Sequence, residues 1–196
     1  APTEIYTLSL HDALPIFSHQ DWRYTMIRES KPKLWFLSNL FGINLMPTMI
    51  VFVQLIAVYR FLVREPSVNF LIILGFMIIV GATMIQFIAD RQMLRFRLAN
   101  AGKKRCIDEG LWKYSRHPNY FGEVAVWWGV WIMSAGGIGN FDLHVIFPIL
   151  MTMLFLFISI PMMEKKIIAS RPEYGEYRKR VSSLIPFFPR KSETNN

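Results

Sequence analysis

The sequence predicts an all-α integral membrane protein built as a bundle of at least four transmembrane helices. Three observations carry that reading. The 196 residues are 53% hydrophobic, with a mean hydropathy of +0.28. The charged residues gather between long apolar runs instead of spreading over a polar surface. Those runs are of bilayer length, since a hydrocarbon core of roughly 30 Å takes about 20 helical residues.

Residues 1–16, APTEIYTLSLHDALPI, read as a non-native, adapter-like segment. They have neither the basic n-region nor the sustained apolar stretch of a signal peptide. A truncated natural N-terminus is the expectation, with the membrane domain over residues 17–190 and a disordered tail at 191–196. The first apolar run covers residues 34–62 and is interrupted by Asn44 and Pro47. The second, residues 70–89, holds no charge, and residues 91–99 continue it without a breaker. The third, residues 120–135, is short for a bilayer. The fourth, residues 143–163, is again uncharged. In lipid only helices satisfy their own backbone polar groups segment by segment, so all four are read as helices. Gly75 and Gly81 are expected to permit close helix contact, and Gly136, Gly137 and Gly139 to mark a tight turn.

Lys and Arg are dense before the first run, between runs two and three, and after run four, and sparse in the other two connections. Alternation puts the three dense segments on one side, so the 91–116 loop and the C-terminus are expected in the cytoplasm. The formal charge of +8 then reflects topology and attraction to anionic membrane lipid, not nucleic acid. The single cysteine, Cys106, excludes an internal disulfide framework and a multi-cysteine metal site; no metal is expected. Neighbouring Lys103, Lys104 and Arg105 would lower its pKa, but an ordinary loop thiol is the plainer reading. No Walker loop, G-x-G-x-x-G or H-E-x-x-H is present.

Two constellations carry chemistry. Gln86, Asp90 and Arg97 share one helical face, where a carboxylate can orient an arginine toward an anion. Downstream, GLWKYSRHPNYFGE begins at Gly110. Pro118 disfavours helix at His117, so a turn precedes a helix starting near Asn119. That helix puts Asn119, Glu123 and Trp127 one turn apart on one face. Glu123 lies within an apolar run, where an ionisable group is costly and faces the interior with a partner.

The stretch from Asp90 through Arg97, Arg105, Gly110-Leu111-Trp112, Arg116-His117-Pro118-Asn119-Tyr120 and Gly122-Glu123 resembles the C-terminal region of the steroid 5-alpha-reductase-like membrane family, in its bacterial branch. Asp21-Trp22-Arg23-Tyr24 resembles an earlier motif of that group, and Tyr174, Tyr177 and Leu184-Ile185-Pro186 its C-terminal end. The resemblance implies an NADPH site in a cytosol-facing cavity formed by Asp90, Arg97, Arg105, Arg116, His117, Asn119, Tyr120, Glu123 and Tyr174. It further implies hydride transfer to a conjugated C=C bond of a lipophilic enone. The proton donor of that reaction sits on upstream helices without a counterpart here, so no catalytic residue is assigned. On the same resemblance the location is the bacterial inner membrane; the oligomeric state is left open.

An Arg-His-Pro-x-Tyr core is shared with isoprenylcysteine carboxyl methyltransferases, which use S-adenosylmethionine. Two points set that alternative second. Three phosphates demand more arginines than a sulfonium does. The methyltransferase pattern also carries adjacent glutamates after the last span, where this chain has Met163-Glu164-Lys165. A third reading is an inactive fragment or non-catalytic membrane protein.

Overall fold

Prolines and the lengths of the apolar runs decide where this chain starts, widens and ends its helices. The structure, a computed structural model, describes residues 28–29, 32–101, 103 and 105–190. The expectations for residues 1–16, the Asp21-Trp22-Arg23-Tyr24 motif, Lys104 and the 191–196 tail lie outside those residues. Five helices are named here: α1, Pro32–Arg64; α2, Phe70–Ala99; α3, Pro118–Ile138; α4, Leu143–Ser170; and α5, Tyr174–Arg180. There is no strand among the described residues, only an isolated parallel bridge between Ser115 and Ser182. The protein is all-helical, as its sequence predicts.

In both α1 and α4 a wide π-helical stretch closes two residues before a proline. Ser38–Leu45 precedes Pro47, and Phe155–Ser159 precedes Pro161. Proline lacks the N–H that would continue the i→i−4 ladder, and widening the preceding turn absorbs the mismatch.

Contacts divide the chain into a unit up to Met49 and a unit from Ile50 onward. In the first, the Arg28 guanidinium lies 5.8 Å from the Trp35 ring centre. Asn44 Nδ2 donates to Asn39 Oδ1 at 2.9 Å.

The second unit contains the pairing of α2 with α3, by far the largest helix contact among the described residues. Gly122, Gly129 and Gly136 recur every seven residues along one face of α3. A Cβ on Gly129 would lie 3.0 Å from Gly75 O, and one on Gly75 would lie 2.6 Å from Met133 N. The two backbones touch because no side chain intervenes, the usual solution where lipid offers no hydrophobic drive between helices. Gly81 has open space around it and takes no part, contrary to expectation. Gly136 and Gly137 also belong to helix α3, and Gly139 alone makes the turn. It caps α3 at φ +77°, its N–H bonded to Ala135 O.

Three helices among the described residues, α1, α2 and α4, are long and apolar enough to cross a membrane. The fourth expected crossing, α3, spans 21 residues, but Glu123 and three tryptophans lower its hydropathy. On length and composition three helices among the described residues qualify as spans, and α3 falls just short of them. The outer face of α2 exposes Phe70, Ile73, Phe76, Met77, Val80, Met84 and Phe87. So continuous an apolar face is a surface for lipid, not for water.

Candidate functional site

The loop between α2 and α3 is held by its ends. Trp112 Nε1 donates to Ala89 O at 3.1 Å, and Tyr177 OH donates to Trp112 O at 2.5 Å. Ser115 Oγ donates to Leu184 O at 2.7 Å, while Arg116 N donates to Ser182 O at 2.9 Å. The segment after α5 thus runs alongside residues 114–116. Pro118 occupies the first turn of α3, and His117 before it is extended, with φ −139° and ψ 60°. This is the break that the Pro118 position predicts.

These constraints gather a buried ionic centre around Glu164, on the last turns of α4. Its Oε1 lies 3.0 Å from Arg116 Nε and 3.3 Å from His117 Nε2. Tyr174 OH donates to the same oxygen at 3.2 Å, and Arg178 Nε approaches Oε2 at 3.1 Å. Glu164, His117 and Tyr174 are each 4% exposed and Arg116 is 9% exposed. A carboxylate so buried is tolerable only with opposite charge and hydrogen bonds around it. Arg116 also donates from Nη1 to Arg178 O at 2.8 Å. Its Nε, although in ionic contact with Glu164, makes no hydrogen bond. Burial first, and the Glu164 charge next, push the Tyr174 phenol well above its ordinary range; burial does the same to Tyr177. Both remain neutral donors.

A second polar group lies where α2 meets α3. Asn119 Nδ2 donates to Asp90 Oδ1 at 3.3 Å, and Asn119 Oδ1 accepts from Tyr120 N at 3.0 Å. Glu123, one turn further, accepts from Trp127 Nε1 at 3.1 Å, which supplies the partner expected of a carboxylate in an apolar run. The Tyr120 ring stacks on His117 with centroids 5.3 Å apart and planes 10° apart. That contact joins this rim to the Glu164 centre.

Of the residues singled out in the sequence, the structure therefore brings Arg116, His117 and Tyr174 together at Glu164. It joins Asp90 to Asn119 and links Tyr120 to His117. Arg97 and Arg105 are exposed and enter none of these contacts. Glu164 and Arg178 were not selected from the sequence. Glu164 follows a charge-free run and entered the sequence reading only as the single glutamate of Met163-Glu164-Lys165; its role comes from Arg116, 48 positions earlier (164 − 116). The single glutamate of Met163-Glu164-Lys165 is thus the centre of the site, so the lack of a paired glutamate loses its force against the methyltransferase alternative. No group of metal ligands exists among the described residues. The Cys106 thiol is pushed up to about 11, by burial first and by Glu173 next. The nearby cations do not activate it.

A helical membrane protein with a buried ionic centre beside a carboxylate-bearing rim is the class these features define. The chain belongs to the family described as "Protein of unknown function (DUF1295)", which matches residues 9–181. It is 35% identical over 78 residues to methanethiol S-methyltransferase 1 of Bradyrhizobium diazoefficiens, a match covering 39% of this chain and 25% of that protein. It is 34% identical over 82 residues to methanethiol S-methyltransferase of Crocosphaera subtropica, covering 41% of this chain and 29% of the relative. The matched region therefore spans less than a third of either relative. No solved structure matches. These relatives are named as methyltransferases and not as reductases, which gives no support to the NADPH expectation.

Proposed function

We propose that this chain is an S-adenosylmethionine-dependent membrane methyltransferase whose acceptor is a thiol. The observation that carries the reading is the 35% identity over 78 residues to a protein named as a methanethiol S-methyltransferase. The donor set agrees with it. The rim offers two carboxylates and an amide, Asp90, Glu123 and Asn119, and the interior offers one buried arginine, Arg116, with Glu164 beside it. Such a set suits a cationic cofactor with a ribose diol and one carboxylate. Three phosphates would call for the arginines that remain exposed, Arg97 and Arg105.

When bound, S-adenosylmethionine would supply an electrophilic methyl group to the acceptor thiolate, whose proton has passed to water, and would be left as a neutral thioether. Asp90 and Glu123 would hold its hydroxyl and ammonium groups, and Arg116 its carboxylate. Glu164 acts as a positioning residue, holding Arg116, His117 and Tyr174 in one arrangement. Transfer from a sulfonium to a thiolate removes two opposite charges, so a site closed to water favours it.

The test incubates the full chain in detergent with methyl-labelled S-adenosylmethionine and three acceptors: methanethiol, a long-chain alkanethiol and an isoprenylcysteine carboxylate. Label in a thioether is expected, with Asn119→Ala and Glu123→Gln each lowering the rate. Label only in a methyl ester would overturn the thiol assignment. Enone-dependent NADPH oxidation with no label transferred would overturn the methyltransferase.

A further inference from the structure

Beyond the cofactor rim, the segment after α5 borders two cavities. One, of about 550 Å³, is lined by Arg178, Lys179, Arg180 and Arg190 together with Phe187 and Phe188, and no carboxylate lines it. The other, of about 600 Å³, is walled by apolar side chains of α2, α3 and α4, Trp128 and Leu156 among them. Ser182 and Ser183 line both. Both volumes lie within the roughly 300–1,000 Å³ of small-molecule cavities.

Two of the four cations already have partners: Arg178 approaches Glu164 at 3.1 Å, and Lys179 approaches Glu176 at 2.7 Å. Arg180 and Arg190 enter no ion pair among the described residues. They are held side by side by the backbone bond from Arg190 N to Arg180 O, 2.9 Å. The position is just beyond Ser170, where the α4 candidate span ends. Phe187 and Phe188, 70% and 77% exposed, flank the cations with apolar surface that water does not favour.

We propose that these adjoining cavities bind one anionic phospholipid, its phosphate on Arg180 and Arg190 and an acyl chain in the apolar cavity. Two planar guanidinium forks match phosphate oxygens, and a headgroup without an ammonium adds no opposing charge. A soluble phosphate ester would meet the same arginines but leave the apolar cavity unused. The lipid site uses none of the rim residues, so it stands whether or not the methyltransferase reading does.

The test measures thermal unfolding of the full chain in detergent while phosphatidylglycerol, phosphatidylcholine, glycerophosphoglycerol or inorganic phosphate is titrated. Phosphatidylglycerol is expected to raise the midpoint saturably, and the other three are not. A cation beside an anionic lipid contributes about fivefold in affinity, so Arg180→Gln with Arg190→Gln should weaken phosphatidylglycerol about thirtyfold. Arg190→Gln alone, at an exposed side chain, should weaken it about fivefold and keeps the test readable if the double variant does not fold. Arg91→Gln with Arg95→Gln removes equal charge elsewhere and should change nothing. Equal shifts from the two lipids, full effect from glycerophosphoglycerol or phosphate, unchanged affinity in Arg190→Gln, or equal weakening in the Arg91/Arg95 control would each overturn the proposal.

Discussion

Replacing Glu164 by glutamine keeps the side chain's shape and removes its charge, so it separates the ionic role of the centre from its packing. Arg116 is 9% exposed and would be left as a buried cation without its counter-charge, a loss that costs about 3–5 kcal/mol. The Arg178 side chain is 55% exposed, so its share of the cluster falls in the range of about 0–1 kcal/mol. Glutamine Oε1 still accepts from Tyr174, which keeps the total near the lower end of the Arg116 figure. Glu164→Gln is therefore expected to cost about 3 kcal/mol, and Arg178→Gln no more than about 1 kcal/mol. Reversible unfolding in mixed micelles with increasing denaturing detergent reads both. A Glu164→Gln protein within about 1 kcal/mol of the parent would refute the reasoning, as would an Arg178→Gln protein just as unstable.

The helix-packing account predicts opposite outcomes at two neighbouring glycines. Gly75→Leu should destabilise by about 1–3 kcal/mol or more through overpacking, whereas Gly81→Leu, with nothing within 4 Å of its Cβ, should be nearly silent in the same unfolding assay. Asp142 precedes α4 and forms an ion pair with Arg60 at 2.6 Å. Burial raises its pKa, but hydrogen bonds from Arg60 and His144 outweigh that and leave it below the ordinary carboxylate value. The folded pKa lies below the unfolded one, so this stability is complete above about pH 4 and lost as pH falls through the folded value. Asp142→Asn should flatten the acid limb of a stability–pH curve and cost about 1 kcal/mol or less at pH 7; a parent curve no steeper than the variant's would contradict this. For Cys106, with a pKa of about 11, iodoacetamide alkylation should be slow at pH 7 and climb steeply only above about pH 10. Glu173→Gln should move that rise to lower pH, and fast labelling at neutral pH would count against the burial argument.

The helices were legible because lipid imposes a length and a backbone rule that composition alone reveals. The break at His117 was legible too, since Pro118 acts on its immediate neighbour. Glu123 could be placed as a partnered interior carboxylate because Trp127 stands one turn away. Glu164 was not legible: nothing local marks it, and its meaning depends on how residues 105–117 and the segment after α5 fold back onto α4. The charge-rich segments misled for a related reason. A run such as Lys103 to Arg105 has the same composition whether it lines a phosphate site or faces solvent, and the structure leaves Arg105 exposed. Glycine spacing carried the same ambiguity, resolved in favour of Gly75 and against Gly81 only by what stands opposite each.

The central claim, a site for S-adenosylmethionine at the α2–α3 rim, is tested most directly by calorimetric titration of the detergent-purified chain. S-adenosylmethionine and NADPH are titrated in parallel, against the parent, Glu123→Gln and Arg105→Ala. The account predicts saturable S-adenosylmethionine binding that Glu123→Gln weakens and Arg105→Ala leaves unchanged, with no NADPH binding. Saturable NADPH binding that Arg105→Ala weakens, with no heat from S-adenosylmethionine, would contradict it and restore the reductase.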